Sequence, residues 1–182
     1  MAVADKLTIR TADGYPLAAT LWMPDRGDPV SRYVAINAGA GIPARYYDRF
    51  AAWLADRGVP TLTYDYRGIG RSRPKVMRGF EASVEEWGSK DCAAALDWLA
   101  EQYPGARRIV IGHSVGGFLT GFARNGHLID HMVLVGSHTG YWGVYAQAAR
   151  QAMFLLWHAF MQAISRLVGY FPGRRLRLLE DL

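Results

Sequence analysis

A Gly-x-Ser-x-Gly pattern lies between an apolar run and a helical run, and this arrangement strongly limits how the chain can fold. Residues 108–111 predict a buried strand, and residues 114–124 predict a helix. Because the serine between them must turn the chain very sharply, we expect strained φ and ψ angles at Ser114. Side chains two positions before and after it would collide with the neighbouring chain, which favours glycine at Gly112 and Gly116. The pattern therefore predicts an elbow that presents the Ser114 hydroxyl at the tip of a sheet.

Apolar runs that alternate with helical patterns predict the architecture around this elbow. Asp13-Gly14 between two short apolar runs is typical of a β-hairpin. The patterns predict strands at residues 7–10, 17–22, 32–37, 59–66, 108–111 and 131–135, and helices at residues 46–54, 83–102, 114–124 and 144–168. Continuous Val, Ile and Leu runs between helices are typical of a parallel sheet covered on both faces. We therefore expect an α/β fold with six strands, mostly parallel.

The pattern changes after residue 135. Residues 136–142 predict a loop, and the helical segment that follows stands where another strand is expected. We interpret residues 1–136 as the core and residues 137–182 as a helical cap or lid inserted into it. Shorter connections are predicted as a loop at residues 24–29 and a turn at residues 169–173.

Composition narrows the class of protein. With 182 residues, of which 51% are hydrophobic and 20% charged, the chain suits one globular domain. The net charge is +5, and the basic residues are scattered apart from Arg174, Arg175 and Arg177, which argues against a nucleic-acid partner. The lone Cys92 excludes an internal disulfide and is expected to be a buried structural thiol.

Location and cofactors follow from what the sequence does not contain. Polar and charged residues interrupt the apolar stretch 141–168, so we expect no membrane span. The first ten residues do not resemble a signal peptide, which favours a cytoplasmic protein. We expect neither a cofactor nor a metal ion.

Two backbone groups near the elbow could bind an anion. A helix that begins at Ser114 directs its positive end at the serine oxygen, and the N–H of Val115 becomes one donor to an oxyanion. The second donor is expected from residues 37–41, the loop after the third strand, where small residues let a substrate approach the backbone. Gly39 is the first choice for this donor and Ala40 the second. A plain glycine turn is the alternative interpretation of this loop.

Three stretches together resemble the α/β-hydrolase superfamily, in the branch of the serine aminopeptidases and monoacylglycerol lipases. They occur in the family's order at Asp13-Gly14-Tyr15-Pro16-Leu17, at Tyr64-Asp65-Tyr66-Arg67-Gly68-Ile69-Gly70-Arg71-Ser72 and at Gly112-His113-Ser114-Val115-Gly116-Gly117. Residues 136–142 and 169–173 are similar to a bacterial subgroup of predicted hydrolases. The family's oxyanion loop usually contains His-Gly, and Asn37 stands in place of that histidine.

The resemblance implies a catalytic acid after a seventh strand and a catalytic histidine after an eighth, and neither strand is predicted in residues 1–182. Among the histidines, His138 alone follows the carboxyl end of a strand on the side of Ser114, which makes it the candidate base within the chain. Asp65 and Asp97 are expected to be structural. We therefore expect the acid and base to lie past Leu182 in a longer hydrolase, unless the chain is a degenerate copy. The sixth strand would then expose an apolar outer edge.

Two functions are compatible with these patterns. The first is an acyl hydrolase for ester, thioester or small amide bonds, in which Ser114 attacks a small-molecule acyl substrate and forms an acyl-enzyme. Residues 137–182 would form its lid over an apolar pocket, which four aromatic residues could line if they are not simply core: Trp142, Tyr145, Phe154 and Trp157. The second is a non-catalytic or inactive α/β-hydrolase-like protein that binds a small ligand or a partner chain, with a plain Gly-Ser turn at residues 112–116.

Overall fold

One six-stranded sheet organises the residues that the computed structural model describes, which are residues 1–25 and 30–169. Its strands are β1 (Val3–Arg10), β2 (Pro16–Met23), β3 (Arg32–Asn37), β4 (Thr61–Tyr64), β5 (Arg107–His113) and β6 (His131–Val135). Their spatial order is β1-β2-β4-β3-β5-β6. β1 and β2 form the predicted antiparallel hairpin, β2 pairs antiparallel with β4, and β3 to β6 run parallel. The predicted α/β fold with a mostly parallel sheet is confirmed.

The register of the parallel strands brings three loops together at the carboxyl ends of these strands. β5 lies between β3 and β6, with Asn37 opposite Gly112 and His113 opposite Val135. The chain leaves β3, β5 and β6 at the same end of the sheet, since the three strands are parallel. The glycine loop, the elbow and residues 136–142 are therefore neighbours in space, although the first lies some 75 positions before the second.

Helices join the strands of the first half of the chain. A 3₁₀ turn at Ala44–Tyr47 leads into α1 (Asp48–Ala55), and Gly58, with φ 78°, reverses the chain after it. A longer helical stretch runs through α2 (Val84–Glu86), a π-helical turn (Trp87–Cys92) and α3 (Ala93–Gln102). Ser83 and Glu86 form a capping box at its start.

The two later helical stretches differ in length from the prediction. α4 (Val115–Leu119) continues only into a 3₁₀ turn at Thr120–Phe122, so the helix does not reach residue 124. Three glycines in eight residues give this stretch little intrinsic helix stability. After a 3₁₀ turn at Trp142–Val144, the helical stretch predicted at residues 144–168 consists of α5 (Gln147–Leu155), a π-helical turn (Leu156–Phe160) and α6 (Met161–Val168).

The core lies between the sheet and helices α1, α3 and α4. α1 packs against β2 and β4, α3 against β1, and α4 against β3 and β5. Although the sequence places Tyr46, Phe50 and Trp53 at helical spacing, all three side chains are nearly half exposed. α1 instead buries its small residues Ala51 and Ala55, because the helix sits close to the sheet.

Cys92 is a buried thiol, as predicted. It is free, and its sulfur lies at hydrogen-bond distance, 3.2 Å, from the Tyr64 hydroxyl oxygen. Burial raises the pKa of this thiol to about 12, so it is not a reactive thiolate at neutral pH.

β6 forms one edge of the sheet, and its apolar side chains are exposed. Met132, Val133, Leu134 and Val135 each keep between 43% and 57% of their surface accessible. α5, α6 and the π-helical turn between them also expose large apolar side chains, among them Phe154, Leu155, Trp157 and Phe160. None of the helices in the described ranges combines the length and apolar character that crossing a bilayer demands.

Some predictions lie outside the described residues. These are most of the loop at 24–29, the turn at 169–173 beyond Gly169, and the basic residues of the last segment, Arg174, Arg175 and Arg177.

Candidate active site

Ser114 joins β5 to α4 in a backbone conformation that stands out from the rest of the molecule. Its φ is 53° and its ψ is −122°, and within residues 1–25 and 30–169 no other non-glycine residue has a positive φ. Its N–H donates to the Val135 carbonyl at 2.9 Å, and its carbonyl accepts from the Ser137 hydroxyl at 2.7 Å. The end of β6 thus holds Ser114 in the strained turn that the pattern predicts.

Close backbone packing accounts for the two glycines of the pattern. A Cβ atom added to Gly116 would lie 2.1 Å from the carbonyl oxygen of Asn37, and one added to Gly112 would lie 2.3 Å from the Cα of Gly117. Both distances are far shorter than van der Waals contact, so a side chain at either position requires the backbone to move. The elbow is therefore wedged against the loop after β3.

The strain at Ser114 leads to a stability prediction. A non-glycine residue in such a conformation destabilises the fold by about 1–3 kcal/mol. Glycine removes this strain, but it loses more conformational entropy on folding, which offsets about 0.5–1 kcal/mol of the gain. We expect Ser114→Gly to raise the free energy of unfolding by about 1 kcal/mol in urea denaturation. Ser114→Ala is the matched control, because it removes the hydroxyl and keeps the strain. If the Ser114→Gly protein is no more stable than the Ser114→Ala protein, the backbone at Ser114 is not strained.

Two anchors fix the start of the glycine loop. The buried Asn37 amide donates to the Gly116 carbonyl at 3.3 Å and to the Thr120 hydroxyl at 3.2 Å, and it accepts from the Tyr64 hydroxyl at 2.6 Å. The Tyr66 hydroxyl donates to the Ala38 carbonyl. Asn37, which the sequence marks only as a departure from the family's histidine, therefore ties β3 to β4 and to the elbow helix.

The two predicted oxyanion donors differ in their surroundings. Val115 is the first residue of α4, so its N–H has no acceptor within the helix. The Gly39 N–H, in contrast, donates to the hydroxyl of Tyr47 at 3.0 Å. The same hydroxyl lies 2.8 Å from Nδ1 of His113. Ala40, the second choice for this donor, is exposed at the tip of the loop.

Sequence reasoning missed two residues that support this region. Ser137 binds the carbonyl of Ser114, and the only signal for it is the resemblance that covers residues 136–142. Tyr47 was visible only as one of several aromatic residues at helical spacing. Nothing in the local pattern separates it from its exposed neighbour Tyr46.

The histidines do not meet Ser114 in the described ranges. His138 follows β6 as expected, but it is exposed and its Nδ1 accepts the Gly140 N–H at 2.9 Å. A neutral His138 in this arrangement carries its proton on Nε2, so neither nitrogen is free to accept the serine proton. His113 is hydrogen-bonded to Tyr47, and the His158 ring lies 4.8 Å from the Phe154 ring in a tilted arrangement.

The two carboxylates singled out in the sequence have structural partners. Asp65 is buried and accepts the backbone N–H groups of Ala44 at 2.7 Å and Arg71 at 2.9 Å, which fixes the loop after β4. Asp97 accepts from the Asn125 amide at 2.6 Å and pairs with Arg124. Across residues 1–25 and 30–169, no cluster of three or more histidine, cysteine or carboxylate side chains is arranged to hold a metal ion.

An open cavity lies beside α5 and the 3₁₀ turn that precedes it. Its volume is about 560 Å³, and it is lined by Trp142, Gln147, Arg150, Gln151, Phe154 and Leu155. Of the four aromatic residues suggested as pocket lining, Trp142 and Phe154 contribute to it, and Tyr145 and Trp157 do not. The Arg150 guanidinium lies 5.2 Å from the centre of the Trp142 ring.

Comparison with known proteins identifies the family to which the chain belongs. The model of the family described as serine aminopeptidase, S33, matches residues 28–170, which is well over half of the chain. The chain belongs to this family of α/β-hydrolases. The human monoglyceride lipase is 30% identical over 129 residues, which cover 68% of this chain and 40% of the lipase. This S33-family chain therefore spans less than half the length of that relative.

Solved structures agree with the fold of the S33-family chain. A hypothetical protein from Pseudomonas aeruginosa superposes with a TM-score of 0.66 at 22% identity, covering 93% of this chain and 55% of that one. The α/β-hydrolase GrgF from Penicillium gives a TM-score of 0.66 at 20% identity, covering 93% of this chain and 57% of GrgF. At these identities the likeness concerns the fold alone.

Proposed function

We propose that this protein is a serine hydrolase that cleaves ester, thioester or small amide bonds through an acyl-enzyme, with Ser114 as the nucleophile. The observation that carries the proposal is the strained elbow: Ser114 alone among the described non-glycine residues has a positive φ, and β6 holds it there. Strain of this kind is retained where a side chain has to be presented to a substrate. The name of the human relative, monoglyceride lipase, supports a carboxylic ester as the first substrate class to examine.

The proposed reaction begins with attack of the Ser114 oxygen on the carbonyl carbon of the substrate. A bond forms between oxygen and carbon, the carbonyl electrons move to the carbonyl oxygen, and a general base takes the serine proton. The N–H groups of Val115 and Gly39 would stabilise the oxyanion. Collapse of this intermediate expels the alcohol, thiol or amine with a proton and leaves the acyl-enzyme, which water then hydrolyses. The tautomer of His138 argues against it as the base in this arrangement.

Covalent labelling tests the proposal. In the full-length protein a fluorophosphonate should modify Ser114, as located by peptide mapping, and Ser114→Ala should abolish the label. Ser31→Ala is the matched control, because Ser31 is exposed and lies just before β3, at the opposite end of that strand from the elbow. Any turnover of short-chain p-nitrophenyl esters should fall about a thousandfold or more in Ser114→Ala.

The labelling experiment can also contradict the proposal. If the folded protein takes no fluorophosphonate label, or is labelled at another residue, Ser114 is not the nucleophile. The non-catalytic α/β-hydrolase-like protein would then be favoured, in keeping with the finding that no described histidine or carboxylate is hydrogen-bonded to Ser114.

A further inference from the structure

The Tyr47 hydroxyl lies between the glycine loop and the residue before the serine. Tyr47 ends the 3₁₀ turn that follows this loop, and only 8% of its surface is exposed. Its oxygen is 3.0 Å from the nitrogen of Gly39 and 2.8 Å from Nδ1 of His113. One phenol thus connects the end of β3 to the end of β5.

The protonation of Tyr47 defines the direction of both hydrogen bonds. Burial raises the pKa of the Tyr47 phenol above its ordinary value, so the hydroxyl keeps its proton at neutral pH. Its oxygen accepts the Gly39 N–H, because a backbone N–H can only donate. Its own hydrogen is then available to Nδ1 of a neutral His113. Each of the three groups has a partner.

A substrate oxyanion would compete with this phenol. The Gly39 N–H has one hydrogen, and under the proposed function that hydrogen is one of the two that stabilise the tetrahedral intermediate. A charged oxyanion accepts a stronger hydrogen bond than a neutral phenol does. On losing the Gly39 N–H, the Tyr47 hydroxyl keeps His113 as its partner, so its displacement leaves no buried hydroxyl unpaired.

We propose that the Tyr47 hydroxyl is a placeholder for the substrate oxyanion: it satisfies the Gly39 N–H in the resting site and yields it when the tetrahedral species forms. This inference rests on the proposed function, since it requires Gly39 to be an oxyanion donor. Tyr47 is a positioning residue in this scheme and does not react. His113 makes the exchange inexpensive, because it retains the phenol after Gly39 is released.

Phenylboronic acid provides the measurement. The Ser114 oxygen adds to boron and the serine proton passes to water, which leaves a tetrahedral boronate with a negative charge and an oxygen available to the Gly39 N–H. Tyr47→Phe removes the competing acceptor and keeps the ring. We expect its Kd for phenylboronic acid to be about threefold to tenfold lower than that of the unmodified protein, which corresponds to one neutral hydrogen bond. Ester substrates should show a higher kcat with little change in KM, because only the charged species competes with the phenol.

Two further variants make the outcome decisive. Tyr46→Phe is the matched control, since Tyr46 is the half-exposed neighbour on the same turn, and its Kd should not change. His113→Leu removes the second partner of the phenol, so it should raise the Kd several-fold, and this effect should vanish in the Tyr47→Phe background. If Tyr47→Phe weakens boronate binding or leaves it unchanged, or if both single variants shift the Kd in the same direction, the placeholder role is wrong.

The failure of this inference can be told apart from failure of the proposed function. If the unmodified protein binds no boronate and takes no fluorophosphonate label at Ser114, the serine hydrolase itself is refuted. If Ser114 is labelled and binds boronate while Tyr47→Phe has no effect, only the placeholder is refuted. If Tyr47→Phe does not fold, His113→Leu still tests the inference, because it is expected to raise the Kd for phenylboronic acid.

Discussion

Gly116→Val is expected to lower the free energy of unfolding by about 3 kcal/mol or more, which would make it one of the most damaging single substitutions in the chain. The first atom of the new side chain would lie 2.1 Å from the Asn37 carbonyl oxygen and 2.6 Å from that of Ala38. Both are backbone atoms, and Asn37 is further held by its own side-chain hydrogen bonds to Gly116 and Thr120. Relief therefore requires β3 and the elbow to separate.

Gly121→Val is the matched control for this substitution. Gly121 lies five residues further along the chain, in the 3₁₀ turn Thr120–Phe122, and a Cβ atom added to it meets no atom within 4 Å. We expect its loss of stability to stay within about 1 kcal/mol, and Ser114→Ala should likewise be mild. Urea denaturation or melting temperatures can rank the three proteins. Equal stabilities for Gly116→Val and Ser114→Ala would show that no tight elbow exists.

Features that depend on short stretches of sequence were predictable. The hairpin, the parallel strands and the capping box at Ser83 each depend on residues within a few positions of one another, and the structure contains all of them. The elbow belongs to the same class. Strand, glycine spacing and helix lie within 12 residues, so the positive φ at Ser114 could be predicted from this short stretch.

Features that depend on contacts between distant residues were not predictable. The Tyr47 hydroxyl meets His113, 66 positions away, and the amide of Asn37 meets Thr120, 83 positions away. No local pattern encodes such pairs, because they arise only when the sheet register brings β3 beside β5. The exposure of the α1 aromatic residues has the same origin, since the sheet decides which face of the helix is buried.

A buried ion pair is another feature that the sequence does not reveal, and its loss is expected to have a large effect on stability. The sequence marks Arg67 only as part of a turn-rich loop, yet its side chain is 5% exposed and pairs with Asp91, whose side chain is fully buried. The guanidinium Nε donates to Asp91 Oδ1 at 2.8 Å, and Nη1 donates to Asp13 Oδ2 at 2.8 Å. One cation thus fastens the hairpin turn and the π-helical turn to the loop after β4. Hydrogen bonding from Arg67 also holds the pKa of Asp13 well below its usual range.

Arg67→Met should lower the free energy of unfolding by about 3–5 kcal/mol near neutral pH. The substitution keeps much of the apolar stem but leaves Asp91 with only the backbone N–H of residue 67 as a hydrogen-bond donor. Burial already raises the pKa of Asp91, and the loss of the guanidinium raises it further. A carboxyl whose pKa is higher in the folded protein than in the unfolded chain stabilises the fold below the unfolded pKa and progressively less as pH rises. The deficit of Arg67→Met should therefore shrink on acidification towards the ordinary aspartate pKa of about 4.

Two comparisons separate the buried charge from a general loss of packing. The double variant Arg67→Met/Asp91→Leu removes both charges and should recover a large part of the lost stability, since well-packed apolar residues replace buried ion pairs with little cost. Arg124→Met serves as the matched control, because Arg124 is 66% exposed in its pair with Asp97, and it should cost at most about 1 kcal/mol. If Arg67→Met is no more destabilising than Arg124→Met, or if adding Asp91→Leu only deepens the loss, then the pair does not hold the two turns together. The loop after β4 would in that case depend on Asp65, which accepts N–H groups from both Ala44 and Arg71.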